Sequence, residues 1–141
     1  GGRTAHVSAR RYLLDTSAIL TLIEDEDGAP RVEQVLREQD TFVTWASLLE
    51  VYDITRRERR SAEAEQRYAL LKALTVTLLW AVDEPTLLLA GRLKADHHVS
   101  LADAIIAAHA RQQEAVILHK DPEFEALAGL VELEALPYKL V

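Results

Sequence analysis

The sequence contains no cysteine and no methionine. The first absence excludes disulfide scaffolds, thiolate metal sites and cysteine nucleophiles. Given the second, the sequence is not expected to begin at a translation start. Residues 1–10 are read as an N-terminal extension ahead of a single domain over residues 11–141. Long apolar runs are missing as well. The longest, Ala126 to Val131, falls far short of what a bilayer requires. Gly1 to Arg11 is polar and basic and lacks the apolar core of a secretory leader, so a cytoplasmic protein with no membrane partner is expected. No internal repeat, low-complexity tract or linker divides the chain.

The composition is that of a folded domain. Of 141 residues, 49% are hydrophobic and 28% charged, and a chain of this length buries roughly 68–70% of its unfolded surface. Sixteen basic against 23 acidic residues give a net charge of −7. Such a surface repels polyanions at long range and argues against a passive nucleic-acid binder. It leaves room for an enzyme that handles nucleic acid through bound cations, which reverse the local field.

Short β-type runs alternate with helix signals. Tyr12-Leu13-Leu14 leads into a helix over Thr16–Glu24, and Pro30 starts a second helix running to about Gln39. Thr41–Trp45 reads as a strand, with Ser47 opening a helix towards Arg60. A helix over Ala62–Leu74, a strand over Val76–Val82 and a helix capped by Asp83 follow. Ser100 caps another helix, Ala115–His119 is a strand, Asp121-Pro122 opens a short helix, and Val131–Leu136 is the last strand. This order predicts an α/β fold with a central, mostly parallel sheet of four to five short strands and helices on both faces.

Four acids stand near four helix starts: Asp15, Glu50, Asp103 and Asp121. In an open parallel sheet the C-terminal strand ends and the helix starts that follow them share one edge. Each acid also suits a plain capping role. Asp15 and Asp121 are candidate N-caps, and Ser47-x-x-Glu50 and Ser100-x-x-Asp103 resemble capping boxes. Capping gives no reason for all four to lie on one edge, whereas the topology does. Asp103 lies among Leu101, Ala102, Ala104, Ile105 and Ile106, a setting in which a carboxylate needs a partner or a cation. Four carboxylates without cysteine or histidine favour Mg²⁺ or Mn²⁺, two ions balancing the four charges.

The stretches YLLDTSAIL (Tyr12–Leu20), ASLLEVY (Ala46–Tyr52), SLADAIIAAHA (Ser100–Ala110) and AVILHKDPEF (Ala115–Phe124) resemble PIN-domain ribonucleases, in particular the VapC-type toxins of toxin–antitoxin pairs. The resemblance implies a PIN-like fold and a metal-dependent endoribonuclease that leaves 5′-phosphate and 3′-hydroxyl ends. It also implies an RNA substrate, a VapB-type antitoxin and a homodimer. The family's metal-binding and catalytic acids fall on Asp15, Glu50, Asp103 and Asp121, with Thr16 or Ser17 as the hydroxyl beside the first. Two residues before the last acid the family usually carries Thr or Ser; this chain has His119, which lacks the family's hydroxyl contact beside Asp121 and is a candidate supporting residue that could touch substrate phosphate or donate a proton.

Arg56-Arg57-Glu58-Arg59-Arg60 is the one basic concentration. It suits a solvated helix end, with Asp53–Arg57 as an i, i+4 pair. It suits RNA-backbone contact equally, with Arg56, Arg57, Arg60 and Lys120 as candidates. His97-His98 reads as a solvated loop pair and His109 as interior or interfacial. Two other functions compete. A receiver or phosphatase-type phosphotransfer protein fits poorly, because position 17 is Ser where Asp-x-Asp is needed. A catalytically impaired PIN fold that only binds protein is set against the presence of all four acids.

Overall fold

A computed structural model describes residues 9–140. Most of the proposed N-terminal extension, residues 1–8, therefore lies outside the described residues. Among the described residues five strands are formed: β1 (Arg11–Leu14), β2 (Asp40–Thr44), β3 (Thr77–Leu79), β4 (Val116–His119) and β5 (Leu133–Ala135). Six α-helices connect them: α1 (Thr16–Ile23), α2 (Ala29–Glu38), α3 (Trp45–Glu58), α4 (Ser61–Ala73), α5 (Glu84–Asp96) and α6 (Leu101–Gln112). A 3₁₀ helix, Pro122–Leu127, joins β4 to β5. Among the described residues no helix is long and apolar enough to cross a membrane.

The sheet is parallel throughout, in the order β3-β2-β1-β4-β5. Strand alternation sends neighbours to opposite faces. Leu13, Phe42 and Ile117 pack with α5, α6 and the 3₁₀ helix; Tyr12, Leu14, Val43, Val116 and Leu118 pack with α1 to α4. The chain runs outward from β1 to β3, then returns to place β4 on the other side of β1. Strand order therefore reverses between β1 and β4. The crevice at such a reversal is where open α/β sheets bind ligands, and Asp15 and Asp121 follow these two strands.

Several expected boundaries move. Trp45 belongs to α3 rather than to β2, because Thr44 caps the helix and its Oγ1 accepts from the Ser47 amide at 3.3 Å. The capping box read at Ser47 and Glu50 is therefore not formed, and Glu50 lies in the second turn of α3. The strand expected over Val76–Val82 shrinks to Thr77–Leu79, because Trp80 and Val82 turn towards solvent (54% and 40% exposed) and leave the ladder. Likewise only Leu133–Ala135 of the expected last strand pairs, with β4. The Asp83 and Ser100 caps form as read, accepting from the amides of Thr86 at 2.9 Å and Asp103 at 3.1 Å. Gly28, at φ 103°, precedes α2; a Cβ there would lie 3.2 Å from the Leu136 Cβ, where the chain leaves β5.

Candidate active site

Asp15 ends β1 and caps α1. Its Oδ1 accepts from the Ala18 amide at 2.8 Å, and the Ser17 hydroxyl reaches Oδ1 and Oδ2 at 2.8 and 2.7 Å. The residue is 2% exposed. Burial pushes its pKa up to about 7 against the opposing hydrogen bonds from Ser17 and Ala18, and the nearby charge of Asp121 adds to the rise. Asp103, in the first turn of α6, is 6% exposed. It too is held well above the usual carboxylate range, by burial first, then by hydrogen bonding to Asp121 and by the charges of Asp121 and Asp15. Asp121 is half-buried at the start of the 3₁₀ helix and accepts from the Glu123 amide at 2.9 Å.

Three carboxylates from three elements thus act on one another at the reversal point. The largest influences on Asp15 and Asp103 include no lysine or arginine. Glu50 stands one link away: its Oε1 accepts from the hydroxyl of Thr16, the residue after Asp15, and the same hydroxyl reaches Ser47 Oγ at 3.3 Å. Thr16 and Ser17 consequently divide between two acids, Thr16 orienting Glu50 and Ser17 orienting Asp15.

Among the described residues, no three acidic or histidine side chains stand at metal-coordinating positions as they are oriented here. The donor set nevertheless fits a hard divalent cation. Two buried carboxylates have no basic group among their largest influences, a third acts on both, and the acids offer oxygen ligands. Glu50 and Asp121, the two less buried members, are the ones with room to reorient.

The fold turns His119 inward. Alternation along β4 turns its side chain to the Ile117 face, where it is 1% exposed and packs against Phe124 with ring centroids 5.1 Å apart. Burial lowers its pKa and favours the neutral ring. Its Nδ1 accepts from the Asp121 amide at 3.2 Å. In this structure the ring is shut off from solvent and orients the backbone that carries Asp121.

Glu123 was not singled out from sequence. Its carboxylate accepts from the Ser100 amide and contributes to the upward shift of Asp103, so it ties the cap of α6 to the 3₁₀ helix. Only its position two residues beyond Asp121 could have pointed to it.

Of the basic candidates, Arg57, Arg60 and Lys120 are engaged with acids. Arg57 pairs with Asp53 at 2.9 Å, Arg60 with Glu63 at 3.7 Å, and Arg56 lies beside the Tyr52 hydroxyl. Lys120 is buried, its Nζ 3.7 Å from Glu26 and its amide donating to Ser17 Oγ at 2.7 Å. Of the remaining histidines, His98 is exposed and His97 half-buried beyond α5, while His109 is interior at 5% exposure. Beside Ser17 and Asp121 opens a cleft of about 560 Å³, its wall completed by Glu26, Lys120, Tyr138 and Lys139 among others.

The PIN domain family model matches residues 12–130. No curated protein matches the sequence. Among solved structures, VapBC2 of Rickettsia felis bound to a promoter DNA fragment aligns at a TM-score of 0.75 and 14% identity, covering 90% of this chain and 99% of that one. VapBC-1 of nontypeable Haemophilus influenzae aligns at 0.70 and 22%, covering 89% and 97%. VapC20 of Mycobacterium tuberculosis, a toxin that cleaves the sarcin–ricin loop, aligns at 0.69 and 17%, covering 83% and 95%. Identities this low bear on the fold alone.

Proposed function

The chain belongs to the PIN domain family, and from that premise we propose that it is a metal-dependent endoribonuclease, the toxin of a toxin–antitoxin pair. One observation carries the reading: Asp15, Asp103 and Asp121 converge from three elements at the strand reversal, two of them buried, with no basic group among the largest influences on those two. Clustering like charges in a desolvated crevice opposes folding, and a site for divalent cations explains why the cost is borne.

In this reading Asp15, Glu50, Asp103 and Asp121 hold Mg²⁺ or Mn²⁺, two ions for four charges. Such ions supply an activated water and counter-charge for a departing 3′-oxygen. The protein's own share is positioning. Ser17 fixes the Asp15 carboxylate, Thr16 holds Glu50, and His119 fixes the peptide that carries Asp121. Arg56, Arg57, Arg60 and Lys120 are proposed to meet the RNA backbone, the last three exchanging acidic partners for phosphates.

The structures aligned above include toxin–antitoxin complexes, and a VapB-type antitoxin is the proposed partner. A groove of about 550 Å³ between α3 and α4, lined by Leu48, Leu49, Tyr52 and Tyr68 among others, suits its apolar anchors. For a homodimer the supporting feature is the apolar face around α5 and α6, where Leu87 and Leu101 are exposed.

The test is a set of four variants, Asp15→Asn, Glu50→Gln, Asp103→Asn and Asp121→Asn, assayed for RNA cleavage in Mn²⁺ and for native circular dichroism. Loss of cleavage with the fold retained is expected in each. Retained cleavage and unaltered Mn²⁺ binding in all four would overturn the assignment and leave the acids as helix caps.

A further inference from the structure

We infer that Tyr138 is a base-stacking platform, placing one nucleobase of a single-stranded RNA segment beside Asp121. The inference rests on the ribonuclease reading above and names a substrate-positioning residue within it. Tyr138 lies in the segment after β5 and forms part of the wall of the cleft that Ser17 and Asp121 also line. Its ring is half-buried.

Three contacts hold the ring in place. The hydroxyl donates to Glu125 at 2.7 Å. The ring leans on His119, with centroids 6.2 Å apart and planes at 40°. The backbone just before it is anchored where the Leu136 amide donates to the His119 carbonyl at 2.7 Å. One imidazole therefore touches both Tyr138, through its ring, and the Asp121 peptide, through Nδ1.

A fixed aromatic in the wall of an open cleft is the usual device for holding an unpaired base, because stacking tolerates any base and costs little side-chain entropy. The same cleft is lined by Lys139, whose ammonium is exposed and 3.0 Å from Glu26. A nucleotide whose base lies on Tyr138 thus has a cation nearby for its phosphate.

The test uses the full chain, free of antitoxin. A pool of RNA hairpins with randomised loops is incubated with wild type in Mn²⁺, and one cleaved hairpin is remade with an abasic site at each loop position in turn. Tyr138→Phe keeps the ring and should cleave like wild type. Tyr138→Leu keeps apolar packing against His119 but has no π-face; its KM should rise about tenfold, within the range for loss of one base stack, with kcat unchanged.

At one loop position the abasic hairpin should raise the wild-type KM by a similar factor yet leave the Tyr138→Leu enzyme unaffected. A purely structural Tyr138 would lose kcat, or lose as much in Tyr138→Phe as in Tyr138→Leu, and would show the same abasic penalties in all three proteins. That pattern overturns the inference while leaving the ribonuclease reading intact. Failure of the wild type to cleave any hairpin in Mn²⁺ overturns both.

Discussion

Asp15 serves as a helix cap and as a buried acid at once, and the two roles pull its protonation in opposite directions. Hydrogen bonds from Ser17 and Ala18 favour the carboxylate, yet burial wins and holds the pKa near 7, well above the ordinary 3.8. An acid whose folded pKa is raised binds a proton in the folded state that the unfolded chain has already lost. Between about pH 4 and 7 stability therefore falls as pH rises, by up to about 1.4 kcal/mol per pH unit for one such group. Asp103 acts in the same sense. The buried His109 and His119, lowered by burial, act in the opposite sense below their ordinary 6.5, so the difference between two proteins is the informative quantity. In EDTA, Asp15→Asn should melt above wild type at pH 7.5, with the gap closing towards pH 5. A gap that does not change with pH would mean that the carboxylate is not desolvated. At position 119 the family's usual residue can be restored. His119→Thr removes a packed ring and an acceptor, so it should lower the melting temperature while keeping cleavage within about tenfold, roughly 1.4 kcal/mol of barrier. A complete loss of cleavage would make the imidazole a direct participant. Its position two residues before Asp121 was plain from sequence; that alternation turns it inward beneath Phe124 was not, because a strand end gives no sign of what covers it.

At the scale of elements, caps and β-branched runs made much of the fold legible. Asp83 and Ser100 cap as read, because each has a free amide three residues on. The reading went astray at Thr44–Ser47, where two hydroxyl residues competed for one helix start. Thr44 prevails, since its side chain is fully buried at the strand end and bonded to the Ser47 amide. Thr44→Val, near in shape but without an acceptor, should cost about 0.5–2 kcal/mol in urea unfolding. An unchanged midpoint would return the cap to Ser47. Shifting the helix start moves Glu50 out of the first turn, where it would have bonded its own helix, and leaves its carboxylate for Thr16. The edge strand β3 was over-read because an apolar sequence such as Leu78–Val82 does not disclose that its second half faces solvent.

At the scale of the whole molecule, the parallel sheet followed from strand–helix alternation, and the strand reversal gathers Asp15, Asp103 and Asp121 from distant parts of the sequence. The apolar neighbours of Asp103 already mark it in sequence as a buried acid, but nothing local gives the same sign for Asp15. Burial separates these two from the more accessible Glu50 and Asp121, and for Asp15 it depends on packing that its own segment does not encode. Regulation also belongs at this scale. An antitoxin seated on the α3–α4 groove is expected to place an arginine or lysine against the acids and displace metal. The complex should then stay inactive at high Mg²⁺; a neutralised complex that still binds two metals would contradict displacement as the means.

The chemistry is tested most directly by the ends of the cleaved RNA. A divalent ion held by Asp15, Glu50, Asp103 and Asp121 would supply chemistry that needs no 2′-hydroxyl, whereas a metal-free route through a basic side chain uses that hydroxyl and leaves a 2′,3′-cyclic phosphate. Among the described residues His119 is the histidine beside Asp121, and it is buried with Nδ1 engaged by the Asp121 amide, which disfavours it as the base of the second route. Purified, antitoxin-free protein incubated with RNA in Mn²⁺ should give 5′-phosphate and 3′-hydroxyl ends, and in EDTA no cleavage at all. Cyclic-phosphate ends that persist in EDTA would contradict the assignment of catalysis to Asp15, Glu50, Asp103 and Asp121.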